Sequence, residues 1–195
     1  MRKKMLFAGV SILMLALSVF GFLQFSKRST HAQNFAEVEG LVFYFGSGVG
    51  AWSTELEIQP DGSFSGYYHD ANAGETGDGY PGGTLYQCGF SGKLAPPART
   101  GDYTFTTKLL SLELEQTPGE ETISEGMLVI SAAPYGLDDA DEFTLYRPGI
   151  ALDALPGAFV DWVSIALGED DTTLPFYGLY NSAGEKGFSS YAAAG

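Results

Sequence analysis

Trp52-Ser53-Thr54-Glu55-Leu56-Glu57-Ile58-Gln59-Pro60-Asp61-Gly62-Ser63-Phe64-Ser65-Gly66-Tyr67-Tyr68-His69-Asp70 reads as two strands joined by a tight turn. Trp52, Thr54, Leu56 and Ile58 fall on one face, and Ser53, Glu55, Glu57 and Gln59 on the other. That period of two belongs to a strand with one wet side. Pro60 fixes φ, Asp61 tolerates a turn and Gly62 accepts positive φ. Phe64, Gly66 and Tyr68 carry the apolar face back. A lone hairpin is marginal in water, so it must recruit further strands.

Upstream, Glu39–Gly46 reads as a strand with Leu41, Phe43 and Phe45 on one face and Val42 and Tyr44 on the other. Apolar residues on both faces predict a strand covered on both sides. The glycine-rich run Gly46–Gly50 is not a phosphate loop. It has no Gly-Lys-Ser/Thr, its spacing does not fit Gly-x-Gly-x-x-Gly, and a strand pattern follows it where a helix is required.

Downstream, Asp70–Gly83 is polar and glycine-rich and reads as a long surface loop. Thr84–Ser91 returns to alternation. Asp102–Glu115 is the longest strand candidate, with Tyr103, Phe105, Thr107 and Leu109 in one phase and Leu110, Leu112 and Leu114 in the other. A phase switch within one strand predicts a bulge or bend near Leu109-Leu110. Gln116–Glu125 reads as an acidic loop, Gly126–Ala132 and Glu142–Tyr146 as strands, and Leu174–Tyr180 as a last strand. In Pro156–Ala166, Phe159, Trp162, Val163 and Ala166 recur at helical intervals. The chain is therefore expected to be all-β, a single antiparallel barrel or barrel-like sandwich of about seven to eight strands with one short C-terminal helix.

An N-terminal hydrophobic helix is expected to precede that domain. Arg2, Lys3 and Lys4 stand before an uncharged run from Met5 to Phe25, which Ser26-Lys27-Arg28 ends. A secretory hydrophobic region is about 7–15 residues and a spanning helix about 20. The run is long enough to stay as an anchor, while Thr30-His31-Ala32 offers a cleavage site. Either way the domain is expected outside the cytoplasm, membrane-anchored or secreted, and touching the membrane only through this segment. The expected divisions are 1–32 for the targeting segment, 33–38 for a tether, 39–180 for the barrel and 181–195 for a flexible tail.

The 195-residue chain carries a formal net charge of −14. Five of its ten basic residues lie in or beside the targeting segment, which leaves five basic against 24 acidic residues in the remainder, a net of −19. Such a field disfavours nucleic acid and anionic lipid as partners of the domain and suits cations, basic partners or plain solubility. Cys88 is the only cysteine, so no intramolecular disulfide forms. Its phase with Tyr86 and Phe90 makes it a small core residue.

Several residues, taken in order, resemble the lipocalin and wider calycin pattern. Gly50-Ala51-Trp52 is similar to the Gly-x-Trp that opens the first lipocalin strand. Tyr146-Arg147-Pro148 is similar to the late arginine that closes over that tryptophan, and Thr100-Gly101-Asp102-Tyr103 to the Thr-Asp-Tyr turn with an inserted glycine. The resemblance implies a cation–π lid of Trp52 and Arg147 at one barrel end, above an interior able to hold a small apolar ligand.

Catalytic signals are thin. His31 and His69 are the only histidines, and there is no Gly-x-Ser-x-Gly elbow. One exported histidine and one cysteine make a poor zinc set. Carboxylates are abundant, and a carboxylate-dependent extracellular hydrolase needs two of them about 5–10 Å apart in an aromatic cleft. For a metal, the better pattern is a weak calcium site on Asp70, Asn72, Glu75 and Asp78, oxygen donors on a glycine-rich backbone but without EF-hand spacing. Asp138, Asp139 and Asp141 form a second acidic group. The expectation is a non-catalytic domain with a binding or structural role at the cell surface. It would engage an unknown small ligand or surface protein, with hydrolysis and calcium binding as the alternatives and no other cofactor.

Overall fold

The computed structural model describes residues 34–48 and 50–193. The targeting segment, with its expected hydrophobic helix, lies outside the described residues; among those, no helix is long and apolar enough to cross a membrane. The strands in chain order are β1 (Leu41–Gly46), β2 (Trp52–Ile58), β3 (Ser63–Asn72), β4 (Thr84–Leu94), β5 (Ala98–Arg99), β6 (Thr104–Leu114), β7 (Glu121–Ser124), β8 (Met127–Ser131), β9 (Glu142–Tyr146), β10 (Gly178–Asn181) and β11 (Lys186–Ala192).

Eight of them, β1-β2-β3-β4-β6-β9-β10-β11, form a closed antiparallel barrel. Each pairs with the next, β4 pairs with β6, and β11 returns to β1 through Leu41↔Ala192 to Tyr44↔Ser189. The wall is thus an up-and-down meander, compatible with a lipocalin-like barrel. Its seed is the hairpin of β2 and β3, in register from Trp52↔Asp70 to Ile58↔Phe64. At its turn the Asp61 carboxylate accepts from the Ser63 N–H at 2.9 Å and from Lys93 Nζ at 2.8 Å. Trp52 therefore marks the upper end of the barrel and Pro60 the lower.

The phase switch in β6 is a bulge. Opposite β4, Lys93 pairs with Ser111 but Leu94 pairs with Leu109, leaving Leu110 as the extra residue, 61% exposed. β4 also forks. Phe90–Leu94 pair with β6, whereas Thr84–Gln87 pair in parallel with β8, which carries β7 as its outer neighbour.

Side chains fill the interior. Phe43, Phe45, Phe64, Phe90, Phe105, Phe143 and Phe188 are buried there with Leu56, Ile58 and Cys88. Burying one such side chain contributes about 1.5–3 kcal/mol. Gly66 and Gly92 make room for them: a Cβ at Gly66 would run into the Phe90 ring, and one at Gly92 into the Phe64 ring. Outside the barrel, helix α1 (Gly157–Val163) continues into a 3-10 turn, Ser164–Ala166. Its Phe159 and Val163 are buried in a second cluster with Tyr146, Leu174 and Tyr180.

Three expectations are corrected. The flexible tail expected at 181–195 is overturned over its described residues, 181–193: β11 lies there and closes the wall, with Phe188 fully buried. Its only large interior side chain is that phenylalanine among glycine and serines, too sparse a pattern to read as a strand alone. The tether expected at 33–38 is not free over its described residues, 34–38. From Phe35 the chain turns through a 3-10 helix, Ala36–Val38, and seats Phe35 and Val38 in the core. Gln116–Glu125 contains β7, every residue of which is exposed, so no apolar alternation announces it.

Candidate functional site

The lower end is shut. Phe35 N–H donates to the Pro60 carbonyl at 3.1 Å, and the 3-10 turn that follows lies across that end. Arg147, just past β9, donates through Nε and Nη2 to the Glu37 carboxylate. Its guanidinium stands 4.5 Å from the centroid of Phe105. Arg147 is therefore a clasp between β9 and the entry turn, at the opposite end from Trp52. The expected Trp52–Arg147 lid does not form.

A turn packs across the upper end. Between β8 and β9 the chain folds inward at Pro134-Tyr135-Gly136-Leu137, with Leu137 at 4% exposure. Gly136 has φ 96°, a value glycine adopts readily. Three hydrogen bonds pin this turn: Thr54 Oγ1 to the Tyr135 carbonyl at 2.5 Å, and Asn181 Nδ2 to the carbonyls of Gly136 and Asp138 at 3.1 and 3.0 Å. Asn181 is fully buried, and its Oδ1 accepts from the Gly184 N–H, so both ends of its amide are used.

Aromatic rings surround that turn. Trp52 packs at 5.1 Å from Phe45, 5.3 Å from Tyr135 and 6.2 Å from Trp162 of α1. Lys186 Nζ rests 5.2 Å from the Tyr135 ring and 5.3 Å from that of Trp162. The rest of the mouth is the row Trp52–Asp70–Tyr86, three residues in register at the tops of β2, β3 and β4. One interior position below that row is Tyr68, between Thr54 and Cys88. Tyr68 is 8% exposed. Its phenol is pushed up to about 12, first by burial and then by the negative charges of Asp70 and Asp138. Tyr86 donates its hydroxyl to Glu75 Oε2 at 3.0 Å, an acceptor that also raises its phenol.

The four expected calcium donors do not converge. Asp70 belongs to the rim row, Asn72 Oδ1 accepts from the Gly74 N–H at 3.0 Å, and Glu75 serves Tyr86. Asp78 lies exposed in the loop beyond. Among the described residues no three His, Cys, Asp or Glu side chains are grouped to hold a metal ion. His69 points outward from β3, stacked on Tyr67 with centroids 6.2 Å apart, its Nδ1 3.4 Å from Ser53 Oγ. Cys88 is a core residue, 1% exposed, and burial pushes its thiol up. Of the residues singled out from the sequence, Trp52 (expected in a lid) and Asp70 (expected as a calcium donor) stand on the rim, and Tyr68, Tyr86 and Tyr135 were not among them. The first two carry a strand-phase signal; Tyr135 carries none, because a turn places it.

The fold and rim together define a closed eight-strand barrel with a packed interior and an aromatic, acidic mouth at one end. Compared with known proteins, this chain matches no family, no curated protein and no solved structure.

Proposed function

We propose that this chain is an extracytoplasmic, non-catalytic binding domain whose contact surface is the upper rim, from Trp52 through Asp70 and Tyr86 to the loop 73–83. The observation that carries this reading is the filled interior: with phenylalanine rings packed down to Gly66 and Gly92, a ligand meets the domain at its rim. The hydrolase alternative has less support. Among the described residues no Asp or Glu is buried, Asp70 is half-buried and Asp138 is exposed. A carboxylic acid kept protonated for catalysis needs an apolar, water-poor setting. The charge balance and the basic, apolar start of the sequence support the extracytoplasmic address.

A lipocalin-like reading is the finer one, and the closed meander supports it at the level of architecture. Two features depart from the pattern: Gly50-Ala51-Trp52 opens the second wall strand, and Arg147 closes over Phe105. The rim reading is tested with a photo-crosslinking residue at Ala71 or Gly74 in the native cells, and at Ala98 near the lower end as the control. A discrete adduct from the rim positions alone is expected. Equal capture at both ends, or none at the rim, overturns it.

A further inference from the structure

We propose that the free edge of β7 takes up an extended, basic polypeptide segment of a partner protein, which adds to it as a further antiparallel strand. This edge is a surface separate from the rim row and does not depend on it. β7 and β8 form a flap, fixed to the wall by the parallel ladder of β8 on β4 from Thr84↔Leu128 to Gln87↔Ser131. The flap turns at Glu125-Gly126, with φ 52° and 79°, the two left-handed residues of a tight hairpin. Such a turn is closed by a hydrogen-bonded pair, here Ser124↔Met127. Bonded and non-bonded pairs alternate in an antiparallel ladder, so Thr122↔Val129 and Glu120 opposite Ser131 are bonded as well. The Ser131 N–H does donate to the Glu120 carbonyl, at 2.9 Å. The N–H and C=O groups of Glu121 and Ile123 therefore face away from β8. Among the described residues no strand pairs with β7 on that side, and no loop backbone bonds to those four groups. An unpaired row of this kind is a template for another strand.

Charge decides which strand fits. Glu120, Glu121 and Glu125 are all exposed along this edge, and no Lys, Arg or His occurs between Lys108 and Arg147 to balance them. A partner added antiparallel sets one residue opposite Ile123, which is 53% exposed. Its residue two further on, on the same face, lies opposite Glu121, and the next one opposite Glu120. An apolar residue suits the first place and Lys or Arg the other two, because unlike charges directly opposite attract and like charges repel. The other free end of the sheet is β5, two residues long and carrying Arg99, which offers neither the length nor the charge.

The test titrates the full chain at low salt with a labelled peptide, Gly-Lys-Val-Thr-Lys-Lys-Gly, whose Val is meant for Ile123. Fluorescence anisotropy measures affinity, and backbone amide NMR locates the contact. Saturable binding is expected, with the largest shifts at Glu121 and Ile123 and slower hydrogen exchange at those two amides. A second peptide, N-methylated at Val and at the Lys that follows Thr, keeps the charge but loses both donors to the edge carbonyls. It should bind at least about tenfold more weakly. Equal affinity for the two peptides reduces the effect to bulk charge and overturns the proposal. In the protein, Glu121→Gln should weaken binding about threefold, while Glu169→Gln, outside the flap, leaves it unchanged. Equal losses from these two substitutions also overturn it, as does the absence of saturation or a shift map centred away from β7. Sedimentation of the chain alone supplies the last arm. Self-association with rising concentration, accompanied by slowed exchange at Glu121 and Ile123, would mean that a second copy fills the edge, and the proposal fails.

Discussion

Gly66 is the residue at which the barrel's packing is most exposed to test. Its missing side chain is where the Phe90 ring sits, with the Glu55 carbonyl on the other side. Gly66→Ala therefore forces the ring or the strand to move, and overpacking of this kind costs about 1–3 kcal/mol. Urea unfolding should show that loss. In the background of Phe90→Leu the same change should cost less, because the ring is gone and only the clash with the Glu55 carbonyl remains. Equal costs in both backgrounds would show that the Glu55 carbonyl, and not the Phe90 ring, sets the cost. At the same scale, Asn181 holds two carbonyls of the inward turn with one amide. Asn181→Ala leaves both without a protein donor, at about 2 kcal/mol. Hydrogen exchange at the Leu137 amide should quicken in that variant before exchange in β2 does.

At the level of elements, the wall is built mostly from strands whose alternation is visible without coordinates. β2, β3 and β4 follow their period of two, and the Leu109-Leu110 phase break became the bulge opposite Lys93-Leu94. β11 escaped because Gly187, Ser189 and Ser190 give a strand no apolar face; its place is fixed by the ladders to β1 and β10 and by the single ring of Phe188. The site was legible only in part for a similar reason. Trp52 and Asp70 stand in a strand pattern, but the rim depends on which strand tops lie side by side and on a turn far away in sequence, as the Thr54–Tyr135 bond with its separation of 81 residues shows. Nothing local encodes that meeting. One consequence is sharp: a stop codon in place of Lys186 removes the strand that joins β10 to β1. Because a closed barrel shares its ladders around the ring, the truncated chain is expected to lose cooperative thermal unfolding. A sharp melt from it would show that β11 is dispensable.

For the molecule as a whole, buried phenols set an upper pH limit. Burial pushes both Tyr68 and Tyr146 up to about 12. In the unfolded chain a tyrosine titrates near pH 10. Below about pH 10 both states keep the proton and stability is unaffected. Between about pH 10 and 12 the unfolded chain loses protons that the folded one retains, so stability falls as pH rises. The denaturant midpoint should hold steady to about pH 9 and drop across that window, and Tyr146→Phe should flatten the drop. A midpoint that stays constant to about pH 12 would mean that the folded protein lets these phenols ionise freely.

The fork in β4 has a separate bearing on how copies of this protein behave toward one another. A ring of strands offers a neighbour no unpaired backbone, but the β7–β8 flap ends in one strand whose outer hydrogen-bonding groups have no ladder partner among the described residues. Glu120, Glu121 and Glu125 crowd that strand with like charge, and on a second copy they would face their own kind. These glutamates thus act as a guard against edge-to-edge pairing of flaps.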